Sequence, residues 1–359
     1  MKQEYMLNFN AGPAALPDTV LQQAAEAVLN YNNTGLSILS IPHRGDLFLA
    51  ILEESKALVK ELCGLGDDYE LMWLQGGGRM QFCMVPMNFL GAGETAGYID
   101  SGHWSAEAID AATYYGHTEV LGSSRSDHYT HLPEWPAPAG KNLAYLHFTT
   151  NNTIYGTQWP EIPESDVPLI ADMSSDIFSI KRDYTNCAMF YAVAQKNLGA
   201  AGNTLVAIRK DFLEHVRPGL PPMMDYKVHA EKNSLLNTPP VFGIYVSLLM
   251  LRWIKAKGID AIEQENRAKA ALLYAEIERN PLFHTVVDEN SRSLMNVVFH
   301  GRSKEMEKQF LECCIGRGVT GIEGHRSVGA FRASLYNGMP LAGVEKLVSI
   351  MHEFAESGG

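Results

Sequence analysis

The sequence predicts an α/β protein with a mostly parallel mixed sheet flanked by helices, followed by a smaller α+β domain. Three observations carry this expectation. Short runs that are apolar on successive residues recur between positions 71 and 208, as strands covered on both faces require. Helical or loop segments separate these runs, and such alternation builds layered α/β domains. Near Phe242 the texture changes to two long helix-type segments in succession.

Taken in order, Pro17-Asp18 opens an amphipathic run with Val20, Leu21, Ala24 and Val28 on one face. Residues 47–62 repeat helical spacing more strongly through Phe48, Ile51, Ser55, Leu58, Val59 and Leu62. The strand-type runs cover 71–74, 96–100, 143–148, 167–172, 188–194 and 204–208. Residues 122–140, rich in Ser, His and Pro, read as a surface connection. Two helices are expected over 244–257 and 261–278, the second rich in strong helix formers. A strand near 295–299, a helix over 304–316, a loop through His325 and Arg326 and a closing helix from Pro340 complete the chain. The expected division is a large domain over 16–257 and a small one from 258–359 joined by residues 1–15.

At 359 residues the chain exceeds what one hydrophobic core normally serves, which favours two domains. A formal net charge of −12 argues against nucleic acid and anionic membranes as partners, but a few local arginines still suffice for an anionic substrate. The five cysteines lack metal-ligating or redox spacing, so no metal and a reducing cytoplasm are expected. The first ten residues hold no apolar run of signal-peptide length, and no later stretch suits a membrane span.

The chemistry gathers at strand ends, where open α/β sheets place their ligands. The run ending at Ala194 leads directly to Gln195-Lys196, then a glycine-containing turn. Keeping a lysine neutral at pH 7 against a free pKa of about 10.4 costs about 4–5 kcal/mol. A Schiff base with an aldehyde cofactor removes that cost; the plainer alternative is a snorkelling lysine. Asp172 ends another strand, 24 residues earlier. Pyridoxal phosphate needs a carboxylate at its pyridine nitrogen, and a turn or helix-cap aspartate is the competing explanation. Gly76-Gly77-Gly78-Arg79 follows a third strand, where exposed backbone N–H groups and a fixed charge suit a phosphate. It matches neither the P-loop nor the dinucleotide spacing. Trp104 follows a fourth strand exit and is a candidate to stack on a cofactor ring.

In this combination the chain resembles the class V aminotransferases of fold type I, and among them those acting on phosphorylated substrates. The matching segments are Asn8-Phe9-Asn10-Ala11-Gly12-Pro13-Ala14, His43-Arg44-Gly45, Gly76-Gly77-Gly78-Arg79-Met80-Gln81-Phe82 and Ala194-Gln195-Lys196-Asn197. Asn237-Thr238-Pro239-Pro240, Gly324-His325-Arg326 and Arg332-Ala333-Ser334-Leu335-Tyr336-Asn337 extend the match over nearly the whole chain. The resemblance implies pyridoxal 5′-phosphate as cofactor, with an aldimine on Lys196, which then shuttles the proton. It further implies that Asp172 pairs with the pyridinium, Trp104 stacks on the ring and Thr153 bonds its hydroxyl. Gly78, Arg79 and Gln195 would hold the phosphate, completed by Asn237 and Thr238 from the other subunit of a homodimer.

The implied substrates are 3-phosphohydroxypyruvate and glutamate, giving O-phosphoserine and 2-oxoglutarate in serine biosynthesis. A related duty in pyridoxine biosynthesis, on a phosphorylated hydroxythreonine, is compatible with the same residues. Guanidinium groups match carboxylates and phosphates in a two-bond fork. Arg332 is the candidate for the α-carboxylate; His43, Arg44, His325 and Arg326 are candidates for the distal phosphate or side-chain carboxylate, with Arg79 a further candidate shared between this role and the cofactor phosphate. A serine–pyruvate or alanine–glyoxylate type enzyme would need no such distal site. A cysteine desulfurase would need a nucleophilic cysteine on a late loop, whereas Cys313 and Cys314 fall in a helical stretch. A catalytically silent binding protein on this fold would be expected to lose Lys196, Asp172 or the arginines. A nucleotide-binding module lacks the partner residues that the triple glycine would need.

Overall fold

Runs of valine, isoleucine, leucine and aromatic residues become central strands when helices cover both faces. The computed structural model describes residues 6–136, 142–326, 328–329 and 331–358. Its large sheet contains β1 (Tyr69–Leu74), β2 (Thr95–Asp100), β3 (His117–Ser123), β4 (Leu146–Thr149), β5 (Leu169–Asp172), β6 (Met189–Val193) and β7 (Thr204–Arg209). Their order in space is β1-β7-β6-β5-β4-β2-β3. Strand β7 is antiparallel to β1 and β6, and the other pairs are parallel. Six strands therefore point the same way, and their carboxyl ends share one edge.

Every residue of β4, β5 and β6 is buried, the reason β5 and β6 lack polar alternation, while β4 (Leu-His-Phe-Thr) alternates with its polar residues His147 and Thr149 buried as well. Strand β3 lies at the edge and has no fully buried residue, so no apolar run announces it. It also alters the reading of 122–140 as a plain connection. The strand runs to Ser123, and Tyr129 is buried with its hydroxyl on Asp100 (3.1 Å). Positions 137–140 of that segment, like residues 1–5 of the N-terminal arm, lie outside the described residues.

Five helices flank the sheet: α1 (Asp18–Asn30), α2 (Asp46–Cys63), α3 (Gly77–Phe89), α4 (His103–Ala112) and α5 (Val241–Lys257). Helices α1, α2 and α5 cover the face carrying Leu71, Trp73, Ala171 and Ala192. Helices α3 and α4 cover the alternate residues Met72, Leu74, Ile170 and Tyr191. Ser55 sits on the buried face of α2 for a specific reason: its hydroxyl accepts the Trp73 indole N–H at 2.8 Å. A buried donor left unpaired there would cost about 1–3 kcal/mol.

A second core gathers Phe9 with α6 (Ile259–Arg279), α7 (Lys304–Gly316) and α8 (Leu341–Glu356). These pack on a small antiparallel sheet of order β8-β9-β10, formed by Phe283–His284, Asn296–Gly301 and Phe331–Ser334. Leu7–Asn8 forms a separate two-stranded sheet with Val319–Thr320, paired in parallel. Gly258, at φ +84°, breaks the chain between α5 and α6. Among the described residues, no helix is long and apolar enough to cross a membrane.

The chain leaving β10 is fastened by polar groups with no water to compete. The Lys269 ammonium donates to the carbonyls of Leu335, Tyr336 and Met339 at 2.8, 3.0 and 2.9 Å. Burial pulls its pKa down to about 7. Asn266 holds the Asn337 side chain at 2.9 Å, and the Asn337 backbone N–H donates to Asn197 Oδ1 at 3.0 Å. The strand carrying Arg332 is thus tied to the residue that follows Lys196.

Candidate active site

Strand ends expose backbone and side chains that the sheet interior cannot, and here the carboxyl ends of β1, β2, β4, β5 and β6 meet around a cavity of about 420 Å³. Gly78, Arg79, Trp104, Thr153, Asp172, Gln195, Lys196, His325 and Arg332 all line it. Larger clefts of about 780 Å³ between α1 and α5 and about 530 Å³ beside α6 contain no lysine and no strand-end aspartate.

Lys196 lies in the turn after β6, half-buried, with the N-terminal arm over it through the Ala14 N–H to Gln195 carbonyl bond (2.9 Å). Desolvation lowers its pKa to about 8, against the opposing pull of Asp172, and Arg332 adds to the lowering. Asp172 closes β5. Ser174 N–H donates to one of its oxygens at 2.9 Å, and burial raises its pKa while Lys196 opposes the rise.

The glycine-rich turn is the N-terminus of α3. Gly76 caps it at φ +97°, and a Cβ there would stand 2.5 Å from Met80 Cβ, so only glycine makes this turn. The first N–H groups of a helix have no intrahelical acceptor, which leaves Gly78 and Arg79 as backbone anion donors. The Arg79 side chain goes elsewhere. Its Nε and Nη2 grip both oxygens of Glu107 at 2.9 Å, and the guanidinium lies 5.1 Å from the Trp104 ring centroid. Glu107 also holds His103 Nε2 at 3.0 Å, and the His103 ring is 5.9 Å from that of His325.

Trp104 is fixed by its indole N–H to Thr153 Oγ1 at 2.9 Å. Its turn is braced from behind by buried Asp100, which accepts from Ser123 Oγ (3.0 Å), Arg125 Nε (2.9 Å) and Tyr129 OH (3.1 Å). Arg332 reaches the pocket from β10; Nη1 donates to the Thr153 carbonyl at 3.1 Å, while buried Nε has no partner. Burial depresses its pKa from the usual arginine value. An unsatisfied buried guanidinium edge is a ready site for a carboxylate.

The donor set fits pyridoxal phosphate. It offers a lysine with a lowered pKa, a buried carboxylate across from it, an aromatic face, a helix N-terminus and an unfilled arginine edge. Among the described residues no group of three or more His, Cys, Asp or Glu is arranged to hold a metal ion.

Five expected site residues lie outside this chain's own cavity. Asn237 Nδ2 donates to Gln75 Oε1 at 3.0 Å, and Gln75 Nε2 donates to the Thr238 carbonyl at 3.0 Å. Arg44 Nη2 reaches the neighbouring Leu235 carbonyl at 3.3 Å, and His43 Nε2 is buried without a partner. Arg326 is exposed beside His325 and is absent from the cavity lining. Glu107, Asn197, Asn337 and Lys269 were not anticipated. Only Glu107 left a trace, its helical i,i+4 spacing from His103.

A family model described as class-V aminotransferase matches residues 6–347. The phosphoserine aminotransferase of Flavobacterium johnsoniae is 47% identical over 347 residues, covering 96% of this chain and 97% of its own. The structure of phosphoserine aminotransferase from Bacillus circulans subsp. alkalophilus superposes with a TM-score of 0.96 at 42% identity, covering 99% of this chain and 100% of that one. The pyridoxal-phosphate-bound phosphoserine aminotransferase of Trichomonas vaginalis gives a TM-score of 0.90 at 32% identity, covering 97% and 99%.

Proposed function

We infer that this chain, which belongs to the class-V aminotransferase family, is a pyridoxal-phosphate enzyme catalysing the phosphoserine aminotransferase reaction of serine biosynthesis. The amino group passes between glutamate and 3-phosphohydroxypyruvate, giving O-phosphoserine and 2-oxoglutarate. The observation that carries this reading is the convergence of Lys196, Asp172 and Arg332 in one pocket. When bound, pyridoxal phosphate supplies an aldehyde that takes up the amino group and a protonated ring that withdraws electrons.

The residues supply the rest. Lys196 Nζ would hold the cofactor covalently between turnovers and, once freed, would take the proton from the substrate Cα and deliver it to the carbon that had carried the aldehyde. Asp172 would keep the ring nitrogen protonated, Trp104 would cover the ring and Thr153 would bond its hydroxyl. The N–H groups of Gly78 and Arg79, with Gln195, fix the cofactor phosphate. Arg332 would take the α-carboxylate common to all four substrates and products, and His325 in the cavity, with the exposed Arg326 beside it, would serve the distal anion. In the purified protein a band at about 400–430 nm should shift to shorter wavelength with O-phosphoserine and with glutamate, but not with serine. A band indifferent to O-phosphoserine rejects the substrate assignment.

His43, Arg44, Asn237 and Thr238 serve the pocket of a second copy. Supporting this are their place outside their own pocket, the orphaned His43 Nε2 and exposed Leu36, Leu39 and Leu47 flanking the His43-Arg44 pair in sequence. A homodimer in the cytoplasm is therefore proposed. Co-expressing a Lys196→Ala chain with an Arg44→Ala chain tests it, because a mixed dimer contains one intact shared site. Activity should recover to about a quarter of wild type, as random pairing of two chains dictates. No recovery over either variant alone means that each chain's site is self-sufficient.

A further inference from the structure

Both substrates of this reaction enter the same pocket, yet their far ends carry different charge: one negative charge for a carboxylate, nearly two for a phosphate at neutral pH. A rim made only of cations would favour the phosphorylated partner and hold it through the turnover. Beside the rim residues Arg79 and Trp104 stands a carboxylate, Glu107. It is 29% exposed, pairs in a fork with Arg79 at 2.9 Å, and takes His103 Nε2 at 3.0 Å. His103 in turn stands beside His325, with ring centroids 5.9 Å apart. The fork uses the Nε and Nη2 edge of Arg79 and leaves Nη1 outside the pair.

Resting on the transamination assigned above, we propose that Glu107 is a specificity-determining residue that balances the affinities of the phosphorylated and dicarboxylate substrates. Its charge repels a distal phosphate about twice as strongly as a distal carboxylate, because Coulomb energy scales with the ligand's charge. Its fork also holds the largely exposed Arg79 guanidinium over Trp104 at the rim.

The test is Glu107→Gln, which retains a hydrogen-bond acceptor for Arg79 and removes the charge. Wild-type holoenzyme is first assayed with O-phosphoserine and 2-oxoglutarate, so failure of the reaction itself is seen separately. In the variant, KM for O-phosphoserine should fall about threefold to fivefold, in the range of charge effects at part-exposed sites. KM for glutamate should fall less than about twofold. Competitive inhibition by inorganic phosphate should tighten in parallel, and the KM difference should shrink in about 0.5 M salt, where the screening length is only a few ångströms. Equal changes for both substrates, an increased KM for O-phosphoserine, or a salt-independent difference would each overturn the proposal. Glu107→Asp, with the charge kept, should retain the wild-type KM ratio; a ratio matching that of Glu107→Gln also overturns it.

Discussion

Replacing Lys196 with alanine should lower turnover on the order of 10⁴-fold, the upper range for losing a positioned acid–base group. The same variant should lose covalent retention of the cofactor. Treatment with borohydride, which makes a lysine-bound aldehyde permanent, should leave the cofactor on wild-type protein through denaturation and none on Lys196→Ala. Retention by the variant would mean that another lysine is the attachment point. A pH profile follows from the lowered pKa of about 8. The nucleophile is the neutral amine, so capture of pyridoxal phosphate by stripped protein should accelerate with rising pH and level off above about 8. About a tenth of Lys196 is neutral at pH 7, compared with about four in ten thousand for an unperturbed lysine. A capture rate still climbing steeply near pH 10 would contradict that environment.

Removal of the phosphate from the substrate should cost on the order of 10⁴-fold in kcat/KM, comparing hydroxypyruvate with its 3-phosphate. Sites built to bond polar groups reject analogues that lack them on this scale, because the protein's own donors then lose their solvent and gain no partner. The relevant donors are His325 and Arg326 in one chain and, in the proposed dimer, His43 and Arg44 of the other. Comparable kcat/KM values for the two ketoacids would remove the distal-anion role from all four. A partial result also discriminates. Should Arg44→Ala abolish the preference while Arg326→Ala leaves it intact, the phosphate sits on the dimer side of the pocket.

The strand-end chemistry was legible because each candidate residue ends or follows a largely buried run. Apolar residues on successive positions announce a covered strand, and the first polar residue after such a run falls at the sheet edge where ligands bind. That pattern exposed Asp172 after β5, Lys196 after β6, Gly76-Gly77-Gly78-Arg79 after β1 and Trp104 after β2. Edge strand β3 escaped because solvent on one side removes the apolar signature. The fate of the Arg79 side chain escaped for another reason. A guanidinium that can reach an anion in the cavity can also reach Glu107, and sequence distance does not rank the two.

By itself the sequence determined the layered α/β class, the strand-end residues and, through its matching segments, the family and its cofactor. The class and the strand ends are properties of local runs that periodicity encodes directly, whereas the family and its cofactor follow from the resemblance of the matching segments. Only the tertiary structure decided which cations share a cavity. It put His325 and Arg332 with Lys196, and left His43, Arg44, Asn237 and Thr238 on another surface. It alone disclosed the lock from Lys269 through Asn337 to Asn197, and the Glu107 clamp on Arg79. These contacts join residues tens or hundreds of positions apart, where the chain must first close its loops. Their partners are chosen by how two cores pack, a choice that no local run of residues records.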